Sequence, residues 1–169
     1  GVWEYFHENG QLQMRENHKN GELDGLWETF YQNGQLERRG NFKNGKEDGL
    51  FESNYGNGQL KERKTYKGGK EEGLIEGFYE NGQLKSRHRQ DVKNGQTHGL
   101  FESFRENGVP LFKINSIDGV KSGLFESFSP NGQRKTLTTY HKDKRDGINI
   151  VWNYRNDKDT ILFSVVLEY

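Results

Sequence analysis

At 169 residues the chain is long enough for one domain or two small ones. Its 25 basic and 25 acidic residues cancel, which leaves no general electrostatic footprint for nucleic acid or an anionic membrane. It has no cysteine, which excludes a disulfide framework and any thiolate metal site. It has no alanine against 22 glycines, which favours strands over helices.

Hydrophobic residues make up only 30% and mean hydropathy is −1.12, values that lean toward disorder. Aromatic residues oppose that reading, because they reach 13% and fall at fixed places. The expectation is a folded chain with a thin core spread along its length. No apolar run approaches the ~20 residues of a membrane span. A cytoplasmic location is favoured, with a secreted or surface form if a leader precedes the first repeat.

A repeat governs the order of the chain. Copies open at Gly1, Gly25, Gly49, Gly73, Gly99 and Gly123, with a divergent copy at Gly147. The spacing is 24 residues throughout except for 26 between Gly73 and Gly99. The expected domain plan is six repeats over 1–147 and a capping hairpin over 148–169. Counting from each glycine, position 2 is Val or Leu, position 3 is aromatic apart from Ile75, and position 4 is Glu. Position 6 is Phe apart from Asn54, and positions 9 and 10 are Asn-Gly.

Asn-Gly between short β-prone runs predicts a type I′ hairpin turn, with positive φ at both central residues. A two-residue turn makes opposed positions sum to 19. Glu4 then faces Arg15, Glu28 faces Arg39, Glu52 faces Arg63 and Glu76 faces Arg87. Glu102 faces Lys113, and Glu126 meets Leu137 and loses its basic partner. A three-residue turn with a bulge would break this register. The same sum puts Gly25 against Phe42, Gly49 against Tyr66 and Gly123 against Tyr140, each ring covering bare backbone. It also pairs Tyr31 with Leu36, Tyr55 with Leu60 and Tyr79 with Leu84. Each such pair contributes ~0.2–1 kcal/mol, so stability must accumulate over many copies. Second turns follow at Lys19-Asn20-Gly21, Lys43-Asn44-Gly45, Lys67-Gly68-Gly69, Lys93-Asn94-Gly95 and Asp118-Gly119. Short turns at both ends predict an all-β fold: an elongated, twisted, single-layer antiparallel meander of about seven consecutive hairpins.

Later copies depart from the rule. Repeat 4 carries a basic cluster, Lys85, Arg87, His88, Arg89 and Lys93. Repeat 5 gathers apolar residues, Phe104, Val109, Leu111, Phe112, Ile114 and Ile117. Repeat 6 places Pro130 in its first turn. The final unit is the most apolar, with Ile148, Ile150 and Trp152, then Ile161, Phe163, Val165 and Leu167, as suits a capped edge.

Gly-Leu-Trp-Glu-Thr-Phe-Tyr-Gln-Asn-Gly-Gln-Leu (25–36), followed by Lys-Asn-Gly-Lys, resembles the MORN repeat. It is most similar to the bacterial variant of antitoxin-like proteins. The resemblance covers Gly1 to about Gly147. It implies sequential β-hairpins in a curled sheet, serving as a protein-binding scaffold, a dimerisation surface or a lipid-binding module.

Catalytic chemistry is not legible. The five histidines, His7, His18, His88, His98 and His141, fall at different repeat positions and form no ligand set. The glutamate row faces a basic row, which suits an ion-paired ladder better than a general acid. No enzyme, metal or cofactor is expected. Paired basic rows also argue against stacking of nucleic acid. The expected function is a non-catalytic, antitoxin- or inhibitor-like module that binds a toxin, effector or defence protein. The binding surface is expected at Arg87, His88, Arg89, Phe104, Val109, Leu111, Phe112, Ile114 and Ile117. Self-association through the terminal strand and membrane-lipid binding are the alternatives.

Overall fold

The two Asn-Gly turns of each repeat fold differently. At the second turn both central residues take positive φ: 53° and 86° at Asn20-Gly21, 50° and 73° at Asn44-Gly45, 58° and 82° at Gly68-Gly69. These are type I′ turns. At the first turn only the glycine does so, with φ of 81° at Gly10 and 82° at Gly34. There the Gly10 N–H donates to the His7 carbonyl at 2.9 Å, and the His7 N–H to the Gln11 carbonyl at 2.8 Å. This is a three-residue loop, a type I turn closed by a left-handed glycine, so the two-residue turn expected at positions 9 and 10 is corrected. The cause is local. Asn9 Oδ1 accepts the Gln11 N–H at 3.0 Å, an Asx turn that holds Asn9 in ordinary negative-φ backbone.

The computed structural model describes residues 1–91, 96–154 and 161–168, with backbone alone at 90–91, 154 and 161–168. The second turn at 93–95 lies outside them. Two units are present, built on Gly1–Leu84 and on Lys85–Arg89 with Gln96–Tyr169. The first runs β1 (Val2–Phe6), β2 (Leu12–Lys19), β3 (Glu22–Phe30) and β4 (Leu36–Lys43). Then come β5 (Lys46–Glu47) leading into β6 (Gly49–Asn54), β7 (Leu60–Lys67), and β8 (Lys70–Glu71) leading into β9 (Gly73–Phe78). The second runs β10 (Leu84–Asp91), then β11 (Gln96–Thr97) leading into β12 (Gly99–Phe104), and β13 (Pro110–Ile117). It continues with β14 (Val120–Phe128), β15 (Arg134–His141), β16 (Lys144–Tyr154) and β17 (Ile161–Glu168). Each unit is an antiparallel meander, and no helix occurs among the described residues. The all-β hairpin meander expected from the turn rhythm is the fold observed.

The longer loop leaves most of the expected register intact. Glu28 faces Arg39, Gly25 faces Phe42 and Glu52 faces Arg63. A three-residue loop alone would slip each pair by one and turn every side chain to the wrong face. One unpaired residue in the returning arm, Glu37 in β4 and Leu111 in β13, takes up the difference as a bulge. Only the pairs between bulge and turn change. Phe30 meets Leu36 and Asn54 meets Leu60, in place of Tyr31 and Tyr55. Tyr79, expected against Leu84, donates its N–H to the Gln83 carbonyl at 2.9 Å.

The rings do not cover the repeat-opening glycines. Above Gly49 there is open space, and the Cβ direction of Gly25 meets the Asn17 side chain at 3.1 Å. Backbone explains these glycines: φ is 114° at Gly25, where the register slips between Leu23 and Trp27, and 99° at Gly49. The rings pack on one another instead. Trp27, Phe42, Phe51 and Tyr66 form a run with centroids 5.0–6.0 Å apart. The glycine that is covered is Gly40, where an added Cβ would stand 2.1 Å from a Phe51 ring carbon. Among the described hydrophobic residues only Phe51, 9% exposed, and Ile75, 7%, are buried. The core is a thin seam.

Candidate binding surfaces

The row at positions 4 and 15 alternates acid and base across successive strands. Register places Glu4 beside Arg15, Arg15 beside Glu28, Glu28 beside Arg39, Arg39 beside Glu52 and Arg63 between Glu52 and Glu76. Ion pairs follow at 2.8 Å for Arg15–Glu4, 2.9 Å for Arg39–Glu28, 2.9 Å for Arg63–Glu52 and 3.7 Å for Arg63–Glu76. In the second unit Glu102 is held by Arg87 and, at 3.0 Å, by Lys113. Burial pushes the Glu102 carboxyl up, but these two cations outweigh it and hold the group below the usual carboxylate range. Glu126 faces Leu137 as expected, yet Arg134, on the same strand and nearer the turn, reaches it at 2.7 Å. The sequence signal was present, since Arg134 stands where four earlier repeats carry leucine.

The first turns are tied to one another, a feature the sequence reading missed. The Tyr31 hydroxyl donates to the Asn54 carbonyl at 2.7 Å and the Tyr55 hydroxyl to the Phe78 carbonyl at 2.8 Å. His7 Nε2 makes the same reach to the Phe30 carbonyl at 2.8 Å. Beside them, Asn9 Nδ2 donates to the Gln32 carbonyl at 2.9 Å and Asn33 Nδ2 to the Gly56 carbonyl at 3.0 Å. Each clasp spans 23 residues, joining position 7 to position 6 and position 9 to position 8 of the next repeat. The repeated Asn is therefore used twice, through Oδ1 on its own turn and through Nδ2 on the following one.

Strand alternation divides the expected basic cluster. Arg87 joins the charged row and Arg89 is exposed, while the His88 ring packs 5.3 Å from Phe101. Lys93 lies outside the described residues. Phe112 lies between Phe101 and Phe125, at 5.6 and 6.2 Å, and Phe125 continues to Tyr140 at 6.3 Å. Ile114 is paired with both Phe101 and Phe125 in register. Phe104, Val109, Leu111, Phe112 and Ile114 are half-buried, and Ile117 is 52% exposed. Position 2 adds exposed apolar side chains, Leu100, Leu124 and Ile148 in this unit.

A cleft opens where the first turn of repeat 6 meets β16, lined by Arg105, Phe128, Ser129, Asn131, Lys135 and Trp152 among others. Arg105 occupies the clasp seat held by tyrosine in repeats 2 and 3, and its Nη2 donates to the Phe128 carbonyl at 3.2 Å. The Arg134 guanidinium sits 5.7 Å from the Trp152 ring centre. His98 is 3.7 Å from Asp118 and His18 is 2.8 Å from Glu16. Among the described residues no three of His, Asp and Glu come together as metal ligands.

The family model described as a MORN repeat variant matches residues 1–20, 23–44, 47–67 and 71–88. No curated protein matches the chain.

Proposed function

The chain is a MORN-repeat protein, and on that premise we propose that it is a non-catalytic module that binds another protein through an extended sheet surface. MORN repeats mediate protein or membrane interactions and are generally not enzymes. The observation that carries the reading is the ring row of the second unit. His88, Phe101, Phe112, Phe125 and Tyr140 follow one another along one sheet face in tilted, stacked and edge-to-face contacts, and all five are only half-buried. A row of this size offers an aromatic contact area of the kind that anchors protein interfaces. Ile114 stands on the same face, paired with Phe101 and Phe125, while Phe104, Val109 and Leu111 lie toward the first turn and Ile117 alternates to the opposite face. Arg87 and Arg89 alternate with His88 along β10 and so belong to the opposite, charged face. The partner is a protein that is neutralised or scaffolded, as an antitoxin or inhibitor would do.

Affinity purification from source cells tests this, with His88→Ser and Phe112→Ser as ring-row variants, each checked for an intact fold by circular dichroism. A stoichiometric protein held by the parent and lost with the variants supports the reading. Recovery of no such protein, together with flotation of the chain on anionic liposomes at physiological salt, would replace it with the membrane reading.

A further inference from the structure

The cleft at the first turn of repeat 6 joins two basic side chains to an aromatic wall. We infer that it is a binding site for a carboxylate carried next to an aromatic or aliphatic group, on a terminal residue or an acidic side chain of a partner protein. This assignment of the ligand's source rests on the protein-binding reading above.

Charge is the first argument. Arg105 and Lys135 line the cleft and none of its lining residues is acidic. Elsewhere in this unit Arg87, Lys113 and Arg134 each have a glutamate partner, Glu102 or Glu126. Neither Arg105 nor Lys135 has an acidic partner among the described residues.

The second argument is that Arg105 is poorly explained as scaffold. A tyrosine in that seat clasps the next repeat at 2.7 Å in repeat 2, whereas Arg105 does so at 3.2 Å. Its Nε is shut away from solvent without an acceptor, a cost that tyrosine would not carry. The residue therefore gives a weaker clasp and holds an uncompensated charge at the cleft.

The third argument is the wall. Phe128 and Trp152 supply apolar surface, and the Trp152 ring is held from behind by Arg134, itself paired with Glu126. The planar guanidinium edge of Arg105 suits a carboxylate in two parallel hydrogen bonds, with Lys135 as an exposed point charge that attracts it. The aromatic wall selects an anion bearing an apolar neighbour over a bare one.

The probe is 3-phenylpropionate, followed in the full chain by the NMR signals of the Trp152 indole N–H and the Arg105 Nε–H. Saturable shifts of both are expected, at least tenfold weaker with the neutral 3-phenylpropionamide. Arg105→Gln should weaken binding at least tenfold with the spectrum otherwise unchanged, and Arg105→Lys should fall between. Equal binding of the amide, an equal response to inorganic phosphate, or no saturable shift in the folded protein would each overturn the site. Loss of the probe site with a co-purifying protein still held would overturn this inference alone. A saturable probe with no protein partner recovered would instead remove the protein-binding reading.

Discussion

The ring of Phe51 lies against the bare backbone of Gly40, with three ring carbons 2.1–2.4 Å from where a Cβ would stand. Both residues are buried, and backbone cannot retreat as the tip of a flexible side chain can. Gly40→Ala should therefore cost about 1–3 kcal/mol, as overpacked substitutions do. Phe51→Leu in the same chain should recover part of that loss. Urea unfolding of the two single variants and the double variant checks this, and purely additive losses would mean that the two positions are not in conflict.

The two kinds of Asn-Gly turn predict opposite outcomes for one substitution. Asn44 contributes positive φ to a type I′ turn, a role glycine fills at Gly68. Asn44→Gly should leave stability within about 0.5 kcal/mol of the parent. Asn33 uses its amide twice, toward the Gln35 N–H at 3.0 Å and the Gly56 carbonyl at 3.0 Å. Asn33→Gly should lose about 1–2 kcal/mol from those two exposed bonds. Equal effects in thermal or urea unfolding would contradict the turn assignment.

Glu102 makes the acid side of the stability curve testable. Its folded-state pKa lies below the ordinary 4.5, so the group contributes stability above that value and loses it as pH falls through the folded value. Glu102→Gln should flatten that part of the acid limb. At neutral pH it leaves Arg87 and Lys113 on either side of an uncharged amide, a loss of about 1–3 kcal/mol. The figure stays below that of a fully buried pair because the Arg87 side chain is 47% exposed. Denaturant midpoints from pH 3 to pH 7 are the measurement.

Tyr66 should be a late-titrating phenol. Burial, then the hydrogen bond and charge of Glu71 at 3.1 Å, push it from 10.0 to about 12, against a smaller opposing pull from Lys64. A raised value means stability fully present below pH 10 and lost as pH rises toward 12. Phenolate absorbance should show one of the eight tyrosines titrating near 12, and Tyr66→Phe should remove that step.

Hairpins and register were legible because both are local. Turn residues set where arms reverse, and charge opposition at Glu28 and Arg39 reports which residues face each other. The loop length was misread because a missing turn residue and a missing bulge cancel beyond Glu37, so the pairing is identical either way. The glycines were misread because sequence shows which residue lacks a Cβ and not why. Gly25 is there for φ and Gly40 for a neighbour's ring. The clasps were not legible, since Tyr31 and the Asn54 carbonyl are joined through a backbone atom that leaves no mark in composition. The cleft needed β16 brought beside the repeat 6 turn before Arg105 and Trp152 could be seen together.

The direction of the clasps has an evolutionary reading. Donors belong to the earlier repeat and carbonyls to the later one, as in Tyr31 with Asn54 and Asn33 with Gly56. Because the acceptors are main-chain atoms, any 24-residue copy can serve as the next step whatever its side chains. Duplication or deletion of a whole copy by unequal recombination would re-form every tie, while loss of a single residue would break one turn's worth. Arrays of this kind can change length readily and still drift in surface chemistry, copy by copy.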